Sequence, residues 1–318
     1  MTDKFICVLD DTDLIQDLCG SNDCNLRMIE ERLGVPVYLR GNEILLDSGD
    51  RDKQKVFSTV IDRMKEYAGK GIIPDSDMIS TVLTEAESSE NIQAEDMSLN
   101  IPGSSHRFFP RNKNQMKLLQ LLNSKELVFA VGPAGTGKTY MAVAKALSDV
   151  LQKKVRKLVI TRPVVEAGES LGFLPGDLAQ KISPYLRPLY DAMESFLSLE
   201  AVTRMEEAGL IEVAPLAYMR GRSLSNCYII LDEAQNTTRE QMKMFLTRIG
   251  EHSRAVVTGD ITQIDLPAKK ASGLVEAVRI LRDIDDIGFM EFSPGDIVRN
   301  HLVKKIIDAY EKNKQTVE

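Results

Sequence analysis

Two different hydrophobic patterns divide the chain. Beyond residue 106, short continuous apolar runs alternate with stretches of helical spacing. The runs predict strands at "LVFAV" (127–131), "KLVIT" (157–161), "YIILD" (228–232), "AVVTG" (255–259) and "IGFMEF" (287–292). Strands that are apolar throughout, with helices between them, predict a parallel sheet covered on both faces. Residues 1–70 read differently. There "FICVLD" predicts a strand, "CNLRMIEERLG" places Leu26, Ile29 and Leu33 on one helical face with Gly34 as its stop, and "VPVYLRGNEILLD" predicts a hairpin turning at Gly41-Asn42. A second amphipathic helix over 51–68 completes a small α+β domain. Residues 71–105, rich in Ser, Asn, Gly and acids, show no sustained periodicity, which is the profile of a linker. Three parts are therefore expected: an α+β domain over 1–70, an acidic linker over 71–105 and an α/β domain over 106–318.

Charge sharpens that division. Of the 47 acids, seven lie between Gly71 and His106, where there is no Lys or Arg, and the remaining 40 balance the 40 Lys and Arg of the chain. The net charge of -7 is thus local, and a basic channel for nucleic acid stays possible elsewhere. With 318 residues and 43% hydrophobic content the chain can bury a sizeable core. No apolar run approaches the roughly 18 residues of a membrane span, and "MTDKFICVLD" carries acids where a signal peptide would carry lysines. An unprocessed cytoplasmic protein with no membrane partner is expected. Four cysteines without a CxxC pair and three scattered histidines give a zinc site little support, and leave buried or idle thiols as the expectation.

The chemistry begins at "LVFAVGPAGTGKTYMAVAKAL". Gly132, Gly137, Lys138 and Thr139 fit G-x-x-x-x-G-K-[ST], directly after a buried strand and before a helix. Glycines let backbone N–H groups turn inward around an anion, the helix N-terminus adds a favourable dipole, Lys138 reaches the β and γ phosphates, and the Thr139 hydroxyl can bind Mg²⁺. Pro133, Ala134, Gly135 and Thr136 within the loop, and Tyr140 after it, complete the candidate nucleotide-binding stretch.

Asp232 and Glu233 close the apolar run "YIIL". In a P-loop enzyme such a position holds the carboxylate that supports Mg²⁺, here Asp232, and Glu233 becomes the candidate base or water-orienting group. The alternative is that both acids cap a helix starting near Thr238. The next strand end, "VVTGDITQIDLP", supplies Thr258, Gly259, Asp260 and Gln263. Gln235 and Gln263 could sense a γ-phosphate from two sides and relay its presence, or each could be a solvated loop residue.

Together "GPAGTGKT", "DEAQ" and "GDITQ" resemble motifs I, II and III of superfamily 1 helicase-type ATPases. "TRPVVEAGESLGFLPGDLAQKISPYLRPLYDAM" and "PLAYMRGRSLSNCYIILDEAQNTT" narrow this further. They closely resemble the PhoH family, bacterial RecA-like ATPases often described as RNA helicases, over about Arg107 to Tyr310. No PIN nuclease segment precedes the match, as in the nuclease-free branch of the family. The resemblance implies an α/β RecA-like P-loop NTPase with a parallel sheet, preceded by a KH-like α+β domain. It implies ATP and Mg²⁺ as cofactors, RNA as a partner, and a ring oligomer, plausibly a hexamer, since one RecA-like core needs a second surface to complete its site.

Residue by residue, the resemblance places Gln115 against the adenine, although spacing alone makes it a helix-surface residue. Arg299 stands at the family's late arginine, a candidate finger on the transferring phosphoryl group, and Arg220 and Arg222 are candidates for contacts in trans or to substrate. Many relatives read "RHP" at Arg299 where this chain reads "RNH". In the KH-like domain "GSND" occupies the place of a GxxG loop that clamps single-stranded nucleic acid, with Asp23 at the fourth position and Arg27, Arg32 and Arg40 nearby. A carboxylate there repels phosphate, so a structural or protein-docking role for this domain stays open. The loop "EAGESLGFLPGD" (166–177) reads as a ligand-responsive segment or a plain surface loop. Two functions remain in play. One is an RNA-remodelling ATPase, and the other an ATPase switch that regulates a protein partner, such as an RNA-processing nuclease or a ribosome-associated protein.

Overall fold

The computed structural model describes residues 4–9, 14–87, 98–104, 107–163, 178–266 and 271–298. By internal contacts they form two units, Met1–Asn100 with His106–Met116, and Ile101–Ser105 with Lys117–Glu318.

In the first unit the strands are β1 (Lys4–Val8), β2 (Val37–Arg40) and β3 (Glu43–Asp47), joined in an antiparallel sheet of order β1-β3-β2. Its helices are α1 (Ile15–Cys19), α2 (Cys24–Leu33), α3 (Arg51–Gly69) and α4 (Ser76–Glu87). The expected hairpin and both expected helices are present, and Gly34 ends α2 in the left-handed conformation that a side chain resists. Asp50 caps α3 by accepting the N–H groups of Asp52 and Lys53.

Part of the expected linker is a packed helix. Residues 76–87 form α4, whose Met78, Ile79, Val82 and Leu83 are buried in the same core as Leu26, Ile29, Phe57 and Ile61. Four of the seven acids that suggested a solvated spacer have structural partners. Asp75 accepts the N–H of Met78 at the start of α4, while Asp77 pairs with Arg111, Glu85 with Arg63 and Glu87 with Arg32. Thr81 and Thr84 are buried inside the helix because their hydroxyls return to the carbonyls of Asp77 and Ser80. Met78, Ile79, Val82 and Leu83 follow helical spacing, but over a stretch too short to stand out among the polar residues around it.

Helix α5 (Lys113–Ser124) straddles the division between units. The second unit carries β4 (Leu127–Val131), β5 (Lys157–Arg162), β6 (Ile211–Pro215), β7 (Cys227–Leu231), β8 (Arg254–Gly259) and β9 (Ile287–Glu291). They make a parallel sheet of order β6-β5-β7-β8-β4-β9. The five expected strands are there, and β6 is additional. It lies at an edge, where Pro215 can end a strand without removing a ladder bond from a central position.

Helices cover both faces, as apolar strands require. On one face α9 (Arg239–Leu246) and α10 (Gly273–Leu281) bury Met242, Phe245, Leu274 and Ala277 against Phe129, Ile229, Leu231 and Val257. Helix α6 (Lys138–Leu151) packs against β5, β7 and β8, and α7 (Leu178–Glu194) packs on α6, followed by α8 (Leu199–Glu207). This is an α/β fold built on a six-stranded parallel sheet, with the P-loop between β4 and α6. The strand feeding the P-loop, β4, and the strand ending in two acids, β7, are separated by β8 alone. The carboxyl ends of all three therefore meet at one edge of the sheet, where ligands of such sheets gather.

Candidate active site at the sheet edge

The P-loop runs from the end of β4 into α6 with Gly132, Gly135 and Gly137 all at positive φ (148°, 82° and 88°). Gly132 has a second constraint. A Cβ there would sit 2.6 Å from the carbonyl oxygen of Phe292, because the chain leaving β9 passes directly against the loop. That chain is hydrogen-bonded in place, Phe292 N–H to the Val131 carbonyl and Val298 N–H to the Gly135 carbonyl.

Lys138 is buried, and its ammonium donates to the carbonyls of Gly132 (2.6 Å) and Pro133 (2.7 Å) of its own loop. Burial lowers its pKa, and the negative charges of Asp260, Asp232 and Glu233 oppose that shift. Thr139 donates to Asp232 Oδ1 at 2.7 Å, and Thr258, at the end of β8, donates to the same oxygen at 2.6 Å. A hydroxyl and a carboxylate are hard oxygen donors, the set that suits Mg²⁺.

The two acids are not helix caps. The N-cap of α9 is Thr238, which accepts the Gln241 N–H while the Gln241 side chain accepts the Thr238 N–H. Glu233 instead stands in the left-handed conformation at φ 53°, uncommon for a side-chain-bearing residue and of a kind that clusters at functional sites. Gln235 explains how it is held. The glutamine is buried, donates to Glu233 Oε2 at 2.6 Å and accepts the Asp260 N–H at 3.0 Å. It is a strut between two strand ends and not a solvated loop residue. Gly259 makes room for it, since a Cβ there would approach Gln235 Oε1 to 2.9 Å and the Leu274 side chain to 2.5 Å.

Asp260 closes the ring of contacts. Its Oδ2 accepts from Ala134 N–H of the P-loop (3.2 Å) and from Gln263 Nε2 (2.8 Å), and its Oδ1 from the Thr262 N–H and hydroxyl. Burial pushes this carboxyl up, but the Thr262 hydrogen bonds, the Lys138 charge and the Ala134 N–H outweigh it and hold the group below the usual aspartate range. Ala134, Gly135, Gly137, Lys138, Thr139, Tyr140, Asp232, Glu233, Gly259, Asp260 and Gln263 line one cleft. Pro133 and Thr136 belong to the loop wall, with the Thr136 hydroxyl donating to the Pro133 carbonyl.

Other expected residues fall elsewhere. Gln115 belongs to the first unit and is buried, not a surface residue, with its Oε1 accepting the Arg111 N–H at 2.7 Å. Arg222 is ion-paired with Glu212 of β6, which gives it a structural task, while Arg220 is exposed. Arg299 and the loop 166–177 lie outside the described residues. Sequence reasoning missed Arg162, at the end of β5, which reaches both Asp232 and Glu233. The available signal was a cation closing an apolar strand at the edge where the acids also sit.

Residues 107–311, which include every element of this cleft, match the sequence profile described as PhoH-like protein. The chain belongs to the PhoH family. It is 47% identical over 302 residues to the "PhoH-like protein" of Mycobacterium tuberculosis, covering 94% of this chain and 85% of that one. With the "PhoH-like protein" of Bacillus subtilis it shares 45% over 300 residues, 93% of each chain. "Protein PhoH" of Escherichia coli matches at 46% over 202 residues, 63% of this PhoH family chain and 57% of that protein. Among solved structures, "Sulfolobus solfataricus SWI2/SNF2 ATPase core in complex with dsDNA" is matched at TM-score 0.33 and 13% identity, over 54% of this chain and 34% of that one. Among the described residues no helix is long and apolar enough to cross a membrane.

Proposed function

We propose that this PhoH family protein is an Mg²⁺-dependent ATPase that acts on RNA or ribonucleoprotein. One observation carries the reading: the Thr139 hydroxyl and the Asp232 carboxylate meet at the foot of a P-loop, with Glu233 next in the chain. Lys138, now resting on its own loop carbonyls, would turn to the β and γ phosphates. Thr139 and Asp232 would hold Mg²⁺, which supplies positive charge to the phosphate oxygens. Glu233 would orient a water for attack on the γ-phosphorus and take its proton, with ADP as leaving group. Gln263, which lines the cleft and donates to Asp260, would sense the third phosphate, and Gln235 would relay its presence through Glu233.

Arg299 would complete the site from a neighbouring copy in a ring, plausibly a hexamer. Val298, which immediately precedes it in the chain, donates its N–H to the carbonyl of Gly135 in its own P-loop, which supports a place for this segment beside the phosphates of its own copy, so the ring rests on the family resemblance alone. We read the first unit as KH-like, because Gly20–Asp23 form a tight turn between α1 and α2, where such domains clamp a nucleic-acid backbone. Arg27 and Arg40 are exposed and available to phosphate, whereas Arg32 is engaged by Glu87.

The test is steady-state ATP hydrolysis with Mg²⁺, with and without single-stranded RNA, on the wild type and Glu233→Gln. Turnover that rises with RNA and disappears in the variant is the expected result. Turnover indifferent to RNA would favour the switch that serves a protein partner, and no hydrolysis at all would withdraw the role of Glu233.

A further inference from the structure

Arg162 sits where a cation is expensive. Its side chain is 14% exposed at the end of a buried strand, and it is retained there by two carboxylates and a carbonyl. Nη2 lies 3.0 Å from Asp232 Oδ2 and 3.0 Å from Glu233 Oε1, while Nη1 donates to the backbone carbonyl of Tyr185 on α7. Nε is buried without an acceptor, so the guanidinium is not fully satisfied in this position. The consequence for Glu233 is direct. Oε1 is paired with Arg162, and Oε2 accepts from Gln235. The charged guanidinium competes with water for Oε1, whereas the neutral Gln235 amide fixes the orientation of the carboxylate.

We infer that Arg162 is a positioning residue that restrains Glu233 and couples its release to the place of α7. The inference rests on the ATPase reading for its effect on turnover. Its bridging arrangement also makes a claim that does not depend on hydrolysis. A guanidinium 3.0 Å from Asp232 opposes a divalent cation on that carboxylate, so removing it strengthens Mg²⁺ binding. Movement of α7 that withdraws the Tyr185 carbonyl would take Arg162 with it and free Glu233 Oε1.

The test uses the full-length chain with Arg162→Gln and Arg162→Lys. For each, kcat, KM for ATP and the Mg²⁺ concentration at half-maximal ATP binding are measured, with thermal unfolding to confirm folding. Arg162→Gln is expected to raise kcat about tenfold, equivalent to about 1.4 kcal/mol of barrier, with KM for ATP unchanged and half-saturating Mg²⁺ lowered. Arg162→Lys, which keeps the charge but cannot span three acceptors, should fall between. A merely structural arginine would lower the unfolding temperature without raising kcat. A kcat that stays level or falls in both folded variants would overturn the inference. If the wild type binds ATP but does not hydrolyse it, the ATPase reading fails separately. Half-saturating Mg²⁺ then decides, and an unchanged value in Arg162→Gln overturns the positioning role.

Discussion

The Thr139 hydroxyl donates to Asp232 Oδ1 across 2.7 Å and so joins the first turn of α6 to the end of β7. Thr258 donates to the same oxygen, which leaves the orientation of the carboxylate set by hydroxyls from both sides. Partners that orient an oxygen ligand govern metal affinity as much as the ligand does, typically by about 10- to 100-fold. Thr139→Ala is expected to raise the Mg²⁺ concentration for half-maximal ATP turnover by at least about tenfold. Thr258→Val should raise it less, because that hydroxyl orients Asp232 without being a candidate ligand. Chelation of Mg²⁺ with EDTA should abolish turnover in all forms. A magnesium titration of the three proteins checks this.

Gln235 carries two loads that a substitution can separate. Gln235→Ala leaves the Asp260 N–H without its acceptor in a buried setting and frees Glu233 Oε2. The unsatisfied donor should cost about 1–3 kcal/mol of folding stability. Gln235→Glu keeps the acceptor for Asp260 but sets a second carboxylate against Glu233, where the amide now donates at 2.6 Å. Both variants should lose kcat with little change in KM for ATP, and only Gln235→Ala should lose the stability associated with Asp260. Urea unfolding and single-turnover hydrolysis distinguish the two effects.

The P-loop, Asp232 and Glu233 are legible in the sequence because local backbone chemistry dictates them. The glycines must take positive φ, and the acids must end an apolar strand. Contacts made by long side chains across strands are not legible in this way. Arg162 sits seventy residues from Asp232 in sequence, and nothing local announces that β5 and β7 are neighbours. Helix α4 is hidden for a different reason. Its buried Thr81 and Thr84 satisfy themselves on the helix backbone, and its acids answer arginines on distant segments, so the stretch reads as solvated until the pairs are seen.

Close approach makes Gly259 a sharp probe of the site. An alanine there would bring its Cβ within 2.5 Å of the Leu274 side chain and 2.9 Å of Gln235 Oε1. Leu274 can rotate at a cost, but Gln235 is fixed at both ends and must shift with Glu233. Gly259→Ala should lose about 1–3 kcal/mol of stability through overpacking and reduce kcat more than ATP affinity. Calorimetric unfolding with ATP titration on the same preparation tests both parts.

Lys138 gives the cleft a pH dependence on the alkaline side. Burial lowers its pKa below the ordinary 10.5, so it gives up its proton at lower pH than an exposed lysine. ATP binding, which uses the charged form, should weaken as pH rises through that lowered pKa, before 10.5 is reached. The sign for stability is opposite. Between the folded-state pKa and 10.5 the unfolded chain binds more protons, so this group makes folding more favourable as pH rises through that window. Lys138→Met should remove the alkaline loss of ATP binding along with most of the affinity, as followed by fluorescence titration between pH 7 and about pH 10.

At the far edge of the sheet, Glu212 accepts from Arg222 through both carboxylate oxygens and from Lys157, which ties β6 to β5. The Arg222 hydrogen bonds, opposed by burial and reinforced by Lys157, hold its pKa at about 2 in place of 4.5. A folded-state pKa below the unfolded value means stability that is fully present above pH 4.5 and lost as pH falls toward 2. The full shift would correspond to about 3 kcal/mol, and partial exposure of the pair reduces this to roughly 1–2 kcal/mol. Glu212→Gln should therefore unfold at lower urea than the wild type at pH 7, with the gap narrowing below pH 4.5 and closing near pH 2. Because Arg222 is occupied in this way, the same variant should leave ATP turnover at pH 7 nearly unchanged. A large loss of turnover without loss of stability would instead return Arg222 to a role in contacts beyond its own strand.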